Sequence, residues 1–223
     1  MNFAPASRMH PRDKEVPPTR RRMPRPRGLR GSAAPARRWL ARALLLAAGV
    51  LAVQAAWLPA KAALAQGLLE STWQQSLADG GTHRPWPWAD THAVAKLAAP
   101  RLGISQVVLA GDSGRSLAFG PGWAESSALP GTTGTVVISG HRDTHFRWLQ
   151  DLRDGDVLEL QSHDGPRRYE VAATRIADAR HERIVATDRD QLLLVTCWPF
   201  DATAPRGPLR YLVTLRPLPR ASS

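Results

Sequence analysis

Eighteen residues from Ala43 to Ala60, ALLLAAGVLAVQAAWLPA, pass without a charge, and only Gln54 among them is polar. As a helix rising 1.5 Å per residue, the run is about 27 Å long, close to a bilayer hydrocarbon core of roughly 30 Å. Trp39 lies just before it and Trp57 near its end, where interfacial aromatics sit. Arg37, Arg38 and Arg42 precede the run, whereas Lys61 alone follows closely. The positive-inside rule therefore keeps the N-terminus in the cytoplasm and sends residues from about 62 onward across the membrane. Ala60-Lys61-Ala62 and Ala63-Leu64-Ala65 also have the small-x-small form of a signal-peptide cleavage site. A retained anchor and a cleaved signal both stay open, with the long basic region favouring the anchor. Either way the rest of the chain is exported.

The net charge of +11 suggests nucleic acid only until it is located. Residues 1–42 hold twelve Lys/Arg and two acids, and residues 43–223 hold eighteen and seventeen. The basicity belongs to an N-terminal tail with too little apolar content to fold, suited to a topology signal or to anionic lipid. The remainder is nearly neutral, so no nucleic-acid partner is expected. The reading divides the chain into a basic tail (1–42), a membrane segment (43–60), a stalk (61–90), a folded domain (91–217) and a short tail (218–223).

In the stalk, Leu64, Leu68, Leu69, Trp73 and Leu77 recur at helical spacing until Asp79-Gly80-Gly81 breaks the pattern. Trp86-Pro87-Trp88 reads as a packed lid on the domain entrance. Beyond it the pattern is all-β. Strands are expected at Ala93–Leu97, Gln106–Ala110, Thr135–Ser139, Asp156–Gln161, Arg168–Ile176, Leu192–Cys197 and Leu209–Leu215, with turns at Gly111–Gly114, Pro130-Gly131, Asp154-Gly155 and Asp164–Pro166. Short helices are expected at Gly122–Ser127 and Thr144–Leu152. Seven or eight strands suit a closed barrel or a sandwich.

Cys197 is the single cysteine, which excludes an intrachain disulfide and argues against a structural metal site. It closes the apolar strand Leu192–Thr196. His141 follows the strand ending Ser139-Gly140, and Arg210 opens the strand Leu209–Leu215. All three stand at strand ends, where a barrel rim gathers side chains. A thiolate attacks, an imidazolium protonates a leaving group and a guanidinium holds an oxyanion. Each residue alone also fits a structural role: a core thiol, a packed histidine, a solvated strand-face arginine.

Longer patterns narrow the choice. Leu193-Leu194-Val195-Thr196-Cys197 is similar to the Thr-Leu-X-Thr-Cys signature of the sortases, membrane-anchored cysteine transpeptidases. Arg210 falls where that family has an arginine, and Ser139-Gly140-His141-Arg142 resembles the segment of its histidine. The family pattern Phe-x-x-Leu-x-x-Leu-x-x-Gly-Asp appears as Phe146, Leu149, Leu152 and Gly155-Asp156, and Gly120-Pro121-Gly122 and Leu129-Pro130-Gly131 fit the preceding loop. Trp86-Pro87-Trp88-Ala89-Asp90 and Thr196-Cys197-Trp198-Pro199-Phe200 resemble the class found in proteobacteria. Leu193 departs from the signature threonine, which reads as altered packing or substrate preference. Arg206 competes with Arg210 but sits in a turn-like Pro205-Arg206-Gly207-Pro208.

The resemblance implies an eight-stranded barrel behind a transmembrane helix, on the inner membrane with the catalytic domain outside the cytoplasm. It implies cleavage of a sorting signal similar to Leu-Pro-X-Thr-Gly on a protein substrate, through a thioester, and transfer to an amine acceptor. Cys197 is then the nucleophile, His141 the acid and base, and Arg210 the oxyanion partner. Thr196 and Trp198 contact the peptide, Asp143 or His145 tunes His141, and no metal or cofactor is required. Two alternatives are a cysteine hydrolase on the same scaffold and a tethered, non-catalytic binding barrel.

Overall fold

The computed structural model describes residues 33–183, 187–202 and 207–219. The expected basic tail up to residue 32, Arg206 and the last four residues lie outside that range.

Helix α1 runs unbroken over Ala33–Asp79, through both the apolar run and the expected stalk helix. Among the described residues it is the one helix long and apolar enough to cross a membrane. Its later part packs as the sequence spacing requires: Leu69 and Trp73 are fully buried against Ala93, Val107 and Leu109, with Leu77 at the margin. Burying side chains of this size stabilises the contact by about 1.5–3 kcal/mol each. Polar ties flank it, since Lys96 Nζ donates to Glu70 Oε1 at 2.6 Å and Gln66 Nε2 donates to the Phe119 carbonyl at 2.7 Å. The helix stops where Gly80 takes a left-handed conformation (φ 70°) and its N–H donates to the Ser76 carbonyl.

Eight strands follow: β1 (Ala93–Ala99), β2 (Ile104–Ala110), β3 (Gly122–Trp123), β4 (Thr135–Ser139), β5 (Val157–Ser162), β6 (Gly165–Asp178), β7 (Gln191–Cys197) and β8 (Leu209–Pro217). They close into a barrel in the order β1-β2-β3-β4-β7-β8-β6-β5. The β2–β3 and β4–β7 pairs are parallel and the others antiparallel.

Two expected helices are replaced. Gly122 and Trp123 are extended and bridge β2 to β4 rather than starting a helix at Gly122–Ser127. A Cβ at Gly122 would lie 2.3 Å from the Gly111 carbonyl oxygen, so only glycine permits this approach. A two-residue strand carries no alternation to read. Thr144–Leu152 forms turns and a 3₁₀ segment, Arg147–Asp151, rather than a regular helix. Phe146, Trp148, Leu149 and Leu152 all point into the core from this short piece, which a tight coil accommodates.

Alternation along the strands separates two apolar layers. Val136 and Ile138 of β4, Leu192 and Leu194 of β7, and Val213 and Leu215 of β8 fill the barrel interior. Val137, Leu193, Val195 and Leu212 face outward and form a second cluster with Ala124 and Ala177. That outer cluster leads to the end of β7. The expected lid is only half packed: Trp86 rests edge-on against Phe119 with ring centroids 4.8 Å apart, whereas Trp88 is 80% exposed.

Candidate active site

The parallel pairing of β4 with β7 runs in register from Thr135↔Gln191 to Ser139↔Val195. Two further bonds extend it, because the Gly140 N–H donates to the Val195 carbonyl at 3.0 Å and Thr196 Oγ1 donates to the Gly140 carbonyl at 2.7 Å. Continued two residues past its last pair, this register points His141, in the turn beyond β4, toward the level of Cys197 at the end of β7. His141 is exposed and Cys197 half-buried, so solvent reaches both.

Glycine before the histidine has a steric cause. A Cβ on Gly140 would meet Phe146 Cγ at 2.6 Å and Cδ2 at 2.7 Å. Phe146 is fully buried, and its N–H donates to the His141 carbonyl at 2.9 Å, closing the turn that presents the imidazole.

Arg210 is the direct cross-strand partner of Cys197 in the antiparallel β7–β8 pair, so both side chains leave the same face. Its Nη1 donates to the carbonyls of Gly207 (2.6 Å) and Leu209 (3.0 Å). The guanidinium is therefore held by its own loop, beside the thiol. Cys197, His141 and Arg210 thus share one rim, with the outward apolar cluster behind them. Leu193, where the signature has threonine, is buried in that cluster, so its side chain belongs to the surface leading to the thiol.

Thr196 alternates to the other side, is 3% exposed, and uses its hydroxyl on Gly140. It joins the bases of the cysteine and histidine segments. Trp198 stacks on Tyr211 (5.6 Å between centroids, 21° between planes) and meets Phe200 edge-on. These rings border a cavity of about 590 Å³ with Arg147, Gln150 and Asp201.

Charges around the histidine are paired. Arg142 is 5% exposed and its guanidinium is fully engaged: Nε and Nη2 bond the Asp143 carboxylate at 2.8 and 3.1 Å, Nη1 the Pro199 carbonyl at 2.7 Å, and Nη2 the Ala202 carbonyl at 2.9 Å. The hydrogen bond from Arg142 holds the Asp143 carboxyl below its ordinary range, with the His141 charge acting in the same direction. His145 is half-buried, and burial lowers its pKa, while a hydrogen bond to the Ala118 carbonyl opposes this. Sequence reasoning quoted Arg142 beside His141 but gave it no part. The available signal was the adjacent Arg142-Asp143 pair; its two backbone-carbonyl partners leave no mark on side-chain patterns.

Comparison with known proteins agrees with this geometry. The sortase-domain family model matches residues 97–217. Sortase D of Bacillus subtilis (strain 168) is 33% identical over 119 residues, which cover 52% of this chain and 60% of that protein. The match thus spans less than two thirds of that relative. Among solved structures, a sortase D5 transpeptidase of Clostridium perfringens superposes with a TM-score of 0.57 at 19% identity, covering 70% of this chain and 99% of that one. Sortase A of Corynebacterium diphtheriae superposes at 0.53 with 23% identity, covering 71% and 86%. These two likenesses bear on the fold, while the domain match spans more than half of the sequence, from within β1 to the end of β8. With its closed mixed barrel of eight strands matched by the sortase-domain model over more than half of its length, the chain therefore belongs to the sortase family of cysteine transpeptidases.

Proposed function

We propose that this chain is a membrane-tethered transpeptidase that cleaves a sorting signal similar to Leu-Pro-X-Thr-Gly between Thr and Gly and transfers the acyl group to an amine. The Cys197 thiolate attacks the threonine carbonyl. The tetrahedral adduct collapses as the C–N bond to glycine breaks, and the His141 imidazolium donates a proton to the departing amine. The incoming amine attacks the thioester, His141 takes its proton, and the Cys197 sulfur leaves. Arg210, released from its loop carbonyls, steadies the oxyanion and the peptide carbonyl. Trp198, Phe200 and Tyr211 border a cavity just beyond Cys197 that offers apolar surface for the signal peptide. Thr196, being buried, supports the site from behind.

The reading is supported by the β4–β7 register, which runs up to the segments bearing Cys197 and His141, both reached by solvent. The membrane segment and its arginine-rich flank support a single-pass topology on the inner membrane, N-terminus in the cytoplasm and barrel outside it. The Trp86–Asp90 and Thr196–Phe200 segments resemble the class found in proteobacteria, whereas the curated relative matched is sortase D of Bacillus subtilis.

The test is product analysis of a sorting-signal peptide with and without an added amine. A transpeptidase forms a new amide that grows with amine concentration. Products unchanged by the amine indicate a hydrolase, and no cleavage at all indicates a binding barrel.

A further inference from the structure

Arg142 lies one residue beyond His141, at a place where a long cation is costly to bury. Its four bonds join two segments of the chain. Asp143 belongs to the histidine's own turn, while the Pro199 and Ala202 carbonyls belong to the loop that leaves Cys197. The planar fork of a guanidinium meets this arrangement, and a lysine ammonium cannot. Arg210 of β8 stands across from Cys197, and Arg142 holds the next loop from the other side of the histidine turn.

We infer that Arg142 is a positioning residue that clamps the loop after Cys197 to the turn bearing His141. The inference rests on the reading of Cys197 and His141 as the reacting pair. Removing the clamp frees the post-cysteine loop and changes the spacing of sulfur and imidazole. A misplacement of about 1 Å at such a pair costs on the order of 100-fold in rate.

The test uses the full chain in detergent, wild type and the variants C197A, R142Q and R142K. Cys197 is the only cysteine, so the rate of iodoacetamide alkylation at fixed pH reports access to that thiol alone. The second readout is kcat and KM on a sorting-signal peptide. R142Q is expected to alkylate faster than wild type, because the loop after the cysteine is freed, and to lose roughly tenfold or more in kcat with KM nearly unchanged. R142K should lose kcat likewise, because the fork is gone. If a thermal melt shows R142Q unfolded, R142K carries the test alone. Wild-type kcat in R142K, or a wild-type alkylation rate and kcat in folded R142Q, overturns the inference. Should C197A retain turnover, the underlying assignment of the reacting pair fails instead, and the two failures are told apart.

Discussion

Gly140→Ala is the smallest change that strikes the candidate site through its support. The new methyl would stand 2.6, 2.7 and 3.1 Å from three atoms of the Phe146 ring. Carbon atoms prefer separations of about 3.5–4 Å, so ring and backbone must part by roughly 1 Å. Phe146 is fully buried and packs edge-on against Trp148 with centroids 5.9 Å apart, which leaves the ring no free retreat. The displacement therefore falls largely on the His141 turn. Overpacking of this kind costs about 1–3 kcal/mol. At 2 kcal/mol a domain of this size melts ~4–8 °C lower. The rate should suffer more than the fold, because a shift near 1 Å at a reacting pair costs on the order of 100-fold. Circular dichroism melts and peptide-cleavage kinetics measure the two effects. Phe146→Leu in the same chain opens space at the ring and should recover part of the lost rate, although alone it lowers stability. An alanine variant with unchanged melting temperature and turnover would refute the steric reasoning.

Thr196→Val keeps shape but leaves the Gly140 carbonyl without its 2.7 Å donor; a stability loss of about 1–3 kcal/mol by urea titration is expected, with Thr196→Ser close to wild type. Trp73→Ala empties the fully buried contact between α1 and the barrel and should cost about 3–5 kcal/mol in the same titration. Burial lowers the pKa of both His92 and His145 from the ordinary 6.5. The unfolded chain then binds more protons than the fold, so stability is full above about pH 6.5 and declines as pH falls through the lower folded values. Melting temperature should drop between pH 7 and 5, and the double variant H92Q/H145Q should flatten that drop. Asp156, held below the ordinary carboxylate value by Arg101, contributes its own loss only at lower pH.

Seven of the eight strands were legible because each alternates or runs apolar long enough to show its period, and Thr135–Ser139 matches at both ends. β3 was hidden by its length of two residues, and its pairing depends on backbone approach at Gly122, which no side-chain pattern encodes. The thiol, imidazole and opposing arginine were readable from their strand-end positions and their flanking motifs. A common rim was expected from those strand ends, but not the parallel β4–β7 register that joins segments far apart in sequence. Thr196 was given as a peptide contact by the family resemblance, whereas it is 3% exposed and its hydroxyl bonds the Gly140 carbonyl. Arg142 escaped because two of its partners are distant backbone carbonyls, alike at every residue. The stalk's helical spacing was visible, whereas its packing on Ala93, Val107 and Leu109 required the folded barrel.

Intact-mass spectrometry of the full chain, mixed with a sorting-signal peptide and quenched in acid, tests the central assignment most directly. The account predicts an adduct equal to the peptide acylated at threonine, less its glycine-side fragment. Digestion should map it to the peptide containing Cys197, and it should be lost on adding hydroxylamine and absent from Cys197→Ala. Peptide turnover in Cys197→Ala, or an adduct mapped to any other residue, would contradict it.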